Sequence, residues 1–290
     1  MFYIDLNVKL CKAKQVNKMS EIKTKEYEKP ENIINPNSKF SIEVDNLKKV
    51  FKAKKGYDDV IAVDDISFKV KSGESFGFLG PNGAGKTTTI NILIGLLKAT
   101  SGIAIINGYN VNDGLYHIKQ LIGVCPQEPA IFKFLTGKEM IELFGGLHSM
   151  NKAEIRERTN KLLEILNLSN ASKRKTKGYS GGMLRQLNLI IALIHDPKIA
   201  FLDEPTVGMD PRVRRATWEF IRSLKKTNKS IFLTTHYIEE AEKLCDRVAI
   251  IDYGKIIESG NPKELIEKYS VNNLEDVFMK ITGRRIMEGM

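Results

Sequence analysis

Cysteine is scarce in this chain. Cys11, Cys125 and Cys245 are the only three in 290 residues, odd in number and far apart. That excludes a disulfide framework, and no pair has the spacing of a zinc site, so reduced thiols in a cytoplasm are expected. Long apolar runs are missing too. The strongest near the middle, "LIIALI" (189–194), is far shorter than the roughly 18 residues that span a bilayer. The opening "MFYIDLNVKLCKAKQ" has neither the continuous apolar core nor the small-residue cleavage site expected of a secretory signal. There is no heptad run and no internal repeat, which speaks against coiled coils and solenoids. Acidic excess is also absent: Lys and Arg number 45 against 35 Asp and Glu, a net charge of +10. The surplus is spread along the chain, with small concentrations in "KKVFKAKK" (48–55) and "SKRKTK" (172–177). It reads as solvated lysine surface, or as a weak attraction for acidic lipid headgroups or a partner. Nucleic acid is not expected as a partner.

What is present is an ordinary globular composition, 42% hydrophobic and 28% charged, with length for one large domain or two modest ones. Residues 1–38 stand apart. They are polar, rich in Asn and Lys and interrupted by two prolines, so a disordered extension is expected. Against that, Phe2, Ile4, Leu6, Val8 and Leu10 alternate as an added edge strand would. From Phe40 the signals sharpen. "FSIEVDNL", "IAVDDISFKV", "ESFGFLG", "IAIING", "IGVCPQ", "KIAFLDEP" and "SIFLTTH" read as strands. Helices are expected over "GKTTTINILIGLLKA" (85–99), residues 137–168 and "PRVRRATWEFIRSLKK" (211–226). Strands alternating with helices imply an α/β domain with a parallel sheet over 39–270, interrupted by a helical segment at about 128–180. A helical tail follows at 271–290.

Gly80, Gly85, Lys86 and Thr87 fit G-x-x-x-x-G-K-[ST] within "GPNGAGKTT", which also holds Pro81, Asn82, Gly83, Ala84 and Thr88. Chance supplies roughly 0.01 such matches in a chain of this length. The glycines let backbone N–H groups wrap phosphates, Lys86 places a point charge on them, and the Thr87 hydroxyl suits Mg²⁺. The loop leaves an apolar strand and enters a helix, the context the motif requires. "KIAFLDEP" supplies the matching acidic strand. Asp203 fits the Mg²⁺ water shell, and Glu204 fits a general base that polarises the attacking water. A second anion site opens at Ser180, Gly181 and Gly182, ahead of a long apolar helix. Alone, that is also a common helix start.

"GPNGAGKTT", "PQE", "YSGGM", "FLDEPTVGMD" and "TTH", in this order, resemble the nucleotide-binding subunit of ATP-binding cassette (ABC) transporters over roughly 41–283. The resemblance implies a phosphate-loop NTPase core with a mainly parallel sheet, an antiparallel β subdomain and a helical subdomain. It implies ATP and Mg²⁺ as cofactors and ATP hydrolysis as the activity. It also implies a head-to-tail dimer, a homodimer in the simplest case, in which Ser180, Gly181 and Gly182 close on the nucleotide of the other copy. By the same resemblance Phe51 stacks on adenine; a strand-edge core Phe is the competing reading. Gln127 reaches the Mg²⁺ and the nucleophilic water, Asp210 belongs to a loop crossing the dimer interface, and His236 contacts the γ-phosphate. His117, His148 and His195 match nothing and are expected to be structural. The family's usual LSGGQ differs here, with Tyr179 and Met183 flanking Ser-Gly-Gly; Met183 lacks the amide of Gln.

A transporter reading requires a separate permease, with this chain peripheral on the cytoplasmic face of the cell membrane. The apolar stretch "QEPAIFKFLTGKEM" (127–140), with Ile131, Phe132, Phe134 and Leu135, corresponds by resemblance to the docking place of the permease; core packing is the alternative. The tail "LEDVFMKITGRR" (274–285) resembles that of ATPases serving ABC-2-type permeases, often exporters. Leu274, Val277, Phe278 and Ile281 share one face of it as a helix. The rival reading is a soluble ABC-type ATPase acting as a nucleotide switch on a non-membrane partner. An idle structural subunit is disfavoured by the presence of Lys86, Asp203, Glu204 and His236.

Overall fold

The computed structural model describes residues 38–53 and 57–283. The polar extension over 1–37, its alternating start and Cys11 lie outside the described residues. In chain order the elements are β1 (Phe40–Phe51), β2 (Val60–Lys71), β3 (Ser75–Leu79), α1 (Lys86–Leu93), β4 (Ser101–Ile106) and β5 (Tyr109–Asn110). Then come α2 (Leu115–Leu121), β6 (Ile122–Cys125), α3 (Gly137–Leu147), α4 (Lys152–Ile165), α5 (Gly181–Leu193) and β7 (Ile199–Asp203). The chain continues through α6 (Pro211–Lys225), β8 (Ser230–Thr235), α7 (Ile238–Leu244), β9 (Arg247–Asp252), β10 (Lys255–Gly260), α8 (Pro262–Lys268) and α9 (Leu274–Thr282).

Two sheets form. One is antiparallel, in the order β2-β1-β4-β5; the other is six-stranded, in the order β10-β9-β3-β8-β7-β6. Within the second, β9, β3, β8, β7 and β6 run parallel, and only β10 is antiparallel. Sequence explains the division. Strands β3, β7 and β8 are buried at every residue, which is why they read as unbroken apolar runs. A period of two in these strands and in β9 still sorts the side chains between two cores. Phe76, Phe78, Phe201, Phe232 and Ile251 face the antiparallel sheet and α1. Leu79, Leu202, Leu233, Val248 and Ile250 face α5, α6 and α7. Helices α3 and α4 join this second core through Met140, Ile141, Leu162 and Leu163. So do Leu274, Val277 and Phe278 of α9, fully buried on the face expected for them.

Three expectations need correction. The helix after the glycine loop ends at Leu93, not Ala99. Gly95 adopts φ +73°, and the N–H groups of Leu96 and Leu97 turn back to Asn91 O at 2.8 and 2.9 Å. At that φ a side chain is strained, and a Cβ on Gly95 would lie 2.0 Å from Leu115 Cδ2, so glycine suits the close of this helix. The helical stretch 137–168 is two helices, because Asn151 caps α4 by accepting from Glu154 N at 2.8 Å. Beyond those, β9 and β10 extend the sheet where no strand was expected.

Candidate functional site

The turn between β3 and α1 is built around glycine. A Cβ on Gly80 would stand 2.2 Å from Ile251 O, and one on Gly85, at φ +105°, 2.3 Å from Ala62 O. The loop is therefore packed against the sheet on its inner side, while Asn82, Gly83 and Thr87 remain exposed on its outer side. Pro81 and Thr88 are half-buried; Ala84, Gly85 and Lys86 are buried. Lys86 Nζ folds across the loop, donating to Gly80 O at 2.7 Å and Pro81 O at 3.1 Å. It also lies 3.3 Å from Glu204 Oε1, both side chains being 4% exposed. Burial lowers the Lys86 pKa, and the charges of Glu204 and Asp203 work against that.

Glu204 is the hub. It follows β7 at φ +48°, a left-handed conformation uncommon outside glycine, held by its N–H on Thr234 O at 3.0 Å. Its Oε1 takes His236 Nδ1 at 3.0 Å, and its Oε2 accepts from Gln127 Nε2 at 2.8 Å. A carboxylate only accepts, so Nδ1 of His236 carries the hydrogen toward Glu204. Burial pushes the Glu204 pKa up, but the His236 hydrogen bond and the Lys86 charge outweigh it and hold the carboxyl below its ordinary value. Asp203 goes the other way. Burial raises its pKa above the usual carboxylate value, against the hydrogen bonds of the Thr234 and Thr87 hydroxyls. Two adjacent carboxyls are thus pushed apart in acidity, the pattern of a site with two roles.

Lys86, Thr87, Gln127, Asp203, Glu204 and His236 converge at the carboxyl ends of β3, β6, β7 and β8, where open α/β sheets place ligands. Ser180, Gly181 and Gly182 do not join them. Ser180 is exposed and caps α5 through Met183 N at 3.3 Å. A Cβ on Gly181 would meet nothing within 4 Å, and one on Gly182 only Val213 and Met209. Among the described residues no hydrogen bond or ion pair links 180–182 to 80–87. Phe51 is 41% exposed at the end of β1, with Lys49 Nζ 5.0 Å from its ring centroid, so the core reading for it fails. Asp210 caps α6, accepting from Arg212 N and Val213 N at 3.0 Å each.

Arg185 escaped the sequence reading. From α5 its guanidinium donates to Gln127 O at 3.0 Å and Glu204 O at 3.4 Å. Asn188 on the same helix donates to Pro126 O at 3.0 Å. The helix that begins at Ser180 is thereby fastened to the backbone of both Gln127 and Glu204. The available signal was Arg185 itself, the one charged residue in the run from Ser180 to Ile194. In the apolar stretch, Phe134 is 67% exposed, while Ile131, Phe132 and Leu135 pack partly against the core. His195 stacks on His148 with ring centroids 3.6 Å apart, and its Nε2 lies 3.0 Å from Ile122 O.

Residues 63–207 match the family described as ABC transporter. The doxorubicin resistance ATP-binding protein DrrA of Mycobacterium tuberculosis is 40% identical over 252 residues, 87% of this chain and 73% of that protein. The linearmycin resistance ATP-binding protein LnrL of Bacillus subtilis is 41% identical over 215 residues, 74% of this chain and 69% of that one. A solved ATP-binding subunit of an ABC transporter superposes with a TM-score of 0.75 at 28% identity, covering 83% of this chain and 99% of its own. A dimeric ATP-binding cassette in a post-hydrolysis state, bound to ADP and phosphate, superposes with a TM-score of 0.70 at 25% identity, covering 76% and 98%.

Proposed function

This chain belongs to the ABC transporter family, and on that premise we propose that it is the ATP-hydrolysing subunit of an exporter, working in pairs on a separate membrane permease. The observation that carries the reading is the separation of two half-sites. One face gathers the glycine loop, Lys86, Asp203, Glu204, Gln127 and His236. The other offers Ser180, Gly181 and Gly182 at an exposed helix mouth that its own loop does not use. A second copy set head to tail closes both. The dimeric neighbour bound to ADP and phosphate supports that arrangement.

The roles follow from the geometry. Backbone N–H groups of residues 80–88 bind the phosphates, and Lys86 exchanges its Gly80, Pro81 and Glu204 contacts for them. Phe51, exposed at the end of β1, takes the adenine. Glu204, whose carboxyl is ionised at neutral pH, accepts a proton from the attacking water. Gln127 and His236, each hydrogen-bonded to Glu204, orient it, and His236 keeps Nε2 free for the γ-phosphate. Asp210 stands at the interface between copies. Mg²⁺, when bound, neutralises phosphate charge. Thr87, Asp203 and Gln127 are the residues that would hold it, all hard oxygen donors suited to it. Among the described residues no group of three or more His, Cys, Asp and Glu is arranged for a metal, so water and phosphate would complete that shell.

Among the described residues no helix is long and apolar enough to cross a membrane. In this reading the chain sits at the cytoplasmic face through its permease, of ABC-2 type. The names of DrrA and LnrL, both drug-resistance ATP-binding proteins, support the transporter over the soluble switch. The stretch around Phe134 is the permease contact in this scheme, and the segment 128–180 turns as a unit when the dimer closes. In reconstituted vesicles, Phe132→Ser with Phe134→Ser should keep ATP turnover and lose transport; transport at the wild-type rate would remove the contact from the scheme.

A further inference from the structure

Glu240, on α7, is fully buried and belongs to none of the groups above. Its Oε1 accepts from Thr206 Oγ1 at 2.7 Å and from Trp218 Nε1 at 2.9 Å. Its Oε2 has no partner of good hydrogen-bond geometry, but the Thr235 hydroxyl, next to His236, also bonds the carboxyl. The partners are placed tellingly. Thr206 lies two residues after Glu204, in the turn closed by Val207 N on Glu204 O at 3.4 Å and Met209 N on Thr206 O at 3.2 Å. Trp218 lies on α6, the helix that Asp210 caps. Glu240 itself stands one helical turn beyond His236.

One buried oxygen therefore joins the three segments that carry Glu204, Asp210 and His236. Arg214 braces the same joint from outside. Its guanidinium donates to Met209 O at 3.3 Å and lies 4.6 Å from the centroid of Tyr237, the neighbour of His236. An apolar side chain at 240 would fill the space but let the turn slide, because dispersion contacts fix no direction. Hydrogen bonds fix distance and angle. A buried carboxyl is costly to keep, and here its donors Thr206, Trp218 and Thr235 all stand on segments that feed the site.

We propose that Glu240 is a positioning residue for ATP hydrolysis: through Thr206 and Trp218 it holds the Glu204–Asp210 turn in register with His236. The proposal rests on the ATPase reading. Burial raises the Glu240 pKa despite the opposing hydrogen bonds, so the amide of Gln, with the same shape and an oxygen acceptor, is a close replacement.

The test is steady-state ATP turnover by the full-length chain in three variants. Thr206→Val removes one donor at constant volume, Glu240→Leu removes the acceptor, and Glu240→Gln restores it. Misplacement of a reacting group by about 1 Å costs on the order of 100-fold, so the first two should lower kcat by ~3- to 100-fold and leave KM for ATP within about 2-fold. Gln at 240 should recover most of what Leu loses. Adding Thr206→Val to Glu240→Leu should cost little more, since both cut the same link. Wild-type kcat in Thr206→Val would overturn the proposal while leaving the ATPase reading intact. So would a Gln variant as impaired as the Leu variant, or additive losses in the double variant. A wild-type chain that does not hydrolyse ATP would overturn both.

Discussion

Glu204→Gln removes a charge while keeping a shape. Glu204 offers two acceptor oxygens to three donors: His236 at 3.0 Å, Gln127 at 2.8 Å and Lys86 at 3.3 Å. Gln offers one acceptor and an N–H₂, so at least one donor loses its partner and Lys86 loses its counter-charge. At 3.3 Å the gross attraction in an effective dielectric of about 20 is ~5 kcal/mol. Desolvation of two buried ions offsets most of it, leaving on the order of 1–3 kcal/mol of net destabilisation without nucleotide. Triphosphate supplies Lys86 with a new anionic partner, so ATP should raise the melting temperature of the variant more than that of the wild-type chain. Turnover should drop by about 10²–10⁴, the contribution of a positioned general base. That is roughly 3–5 kcal/mol of barrier. Phosphate release measures the second effect, thermal melting with and without ATP the first, and light scattering should show the variant accumulating as an ATP-bound dimer. Hydrolysis by the variant at the wild-type rate would refute the assignment of the base.

Other consequences are open to direct measurement. Lys86→Ala should lose ATP binding by equilibrium dialysis yet stay folded, since Glu204 retains His236 and Gln127; undiminished binding would contradict the role of the loop. The fold itself should weaken in mild acid. Burial, with repulsion from His148, depresses the His195 pKa from 6.5 to about 4. The folded state thus resists protonation that the unfolded chain accepts. This contribution is complete above about pH 6.5 and is lost as the pH falls toward 4, by about 2 kcal/mol at pH 5. Urea midpoints at pH 7 and pH 5 should show the drop, and His195→Asn should flatten it.

Much of this arrangement is legible from sequence because its signals are local. The strands β3, β7 and β8 announce themselves as apolar runs between turns, and the glycine loop has fixed spacing in eight residues. Lys86, Asp203 and Glu204 therefore stand out in the sequence itself. What is hidden depends on distant neighbours. The end of α1 turns on Gly95, whose left-handed φ of +73° and contact with Leu115 arise only in the fold. Strand β10 is half-exposed along its length and carries no motif, so periodicity alone does not distinguish it from loop. Arg185 and Glu240 bond to partners 58 and 34 residues away. Their side chains look unremarkable in a helix until the tertiary fold brings the carbonyls and hydroxyls to them. The exposure of Phe51 likewise follows from how β1 ends, which the residue type does not disclose.

Complementation between two crippled copies probes the seam most directly. Ser180→Arg blocks the helix mouth and spares the phosphate loop; Lys86→Ala does the reverse. Each alone should be inactive, and the mixture should regain ATP turnover, because a mixed pair holds one pocket with both halves intact. A mixture as silent as its components, or either variant active by itself, would contradict a site shared between two chains.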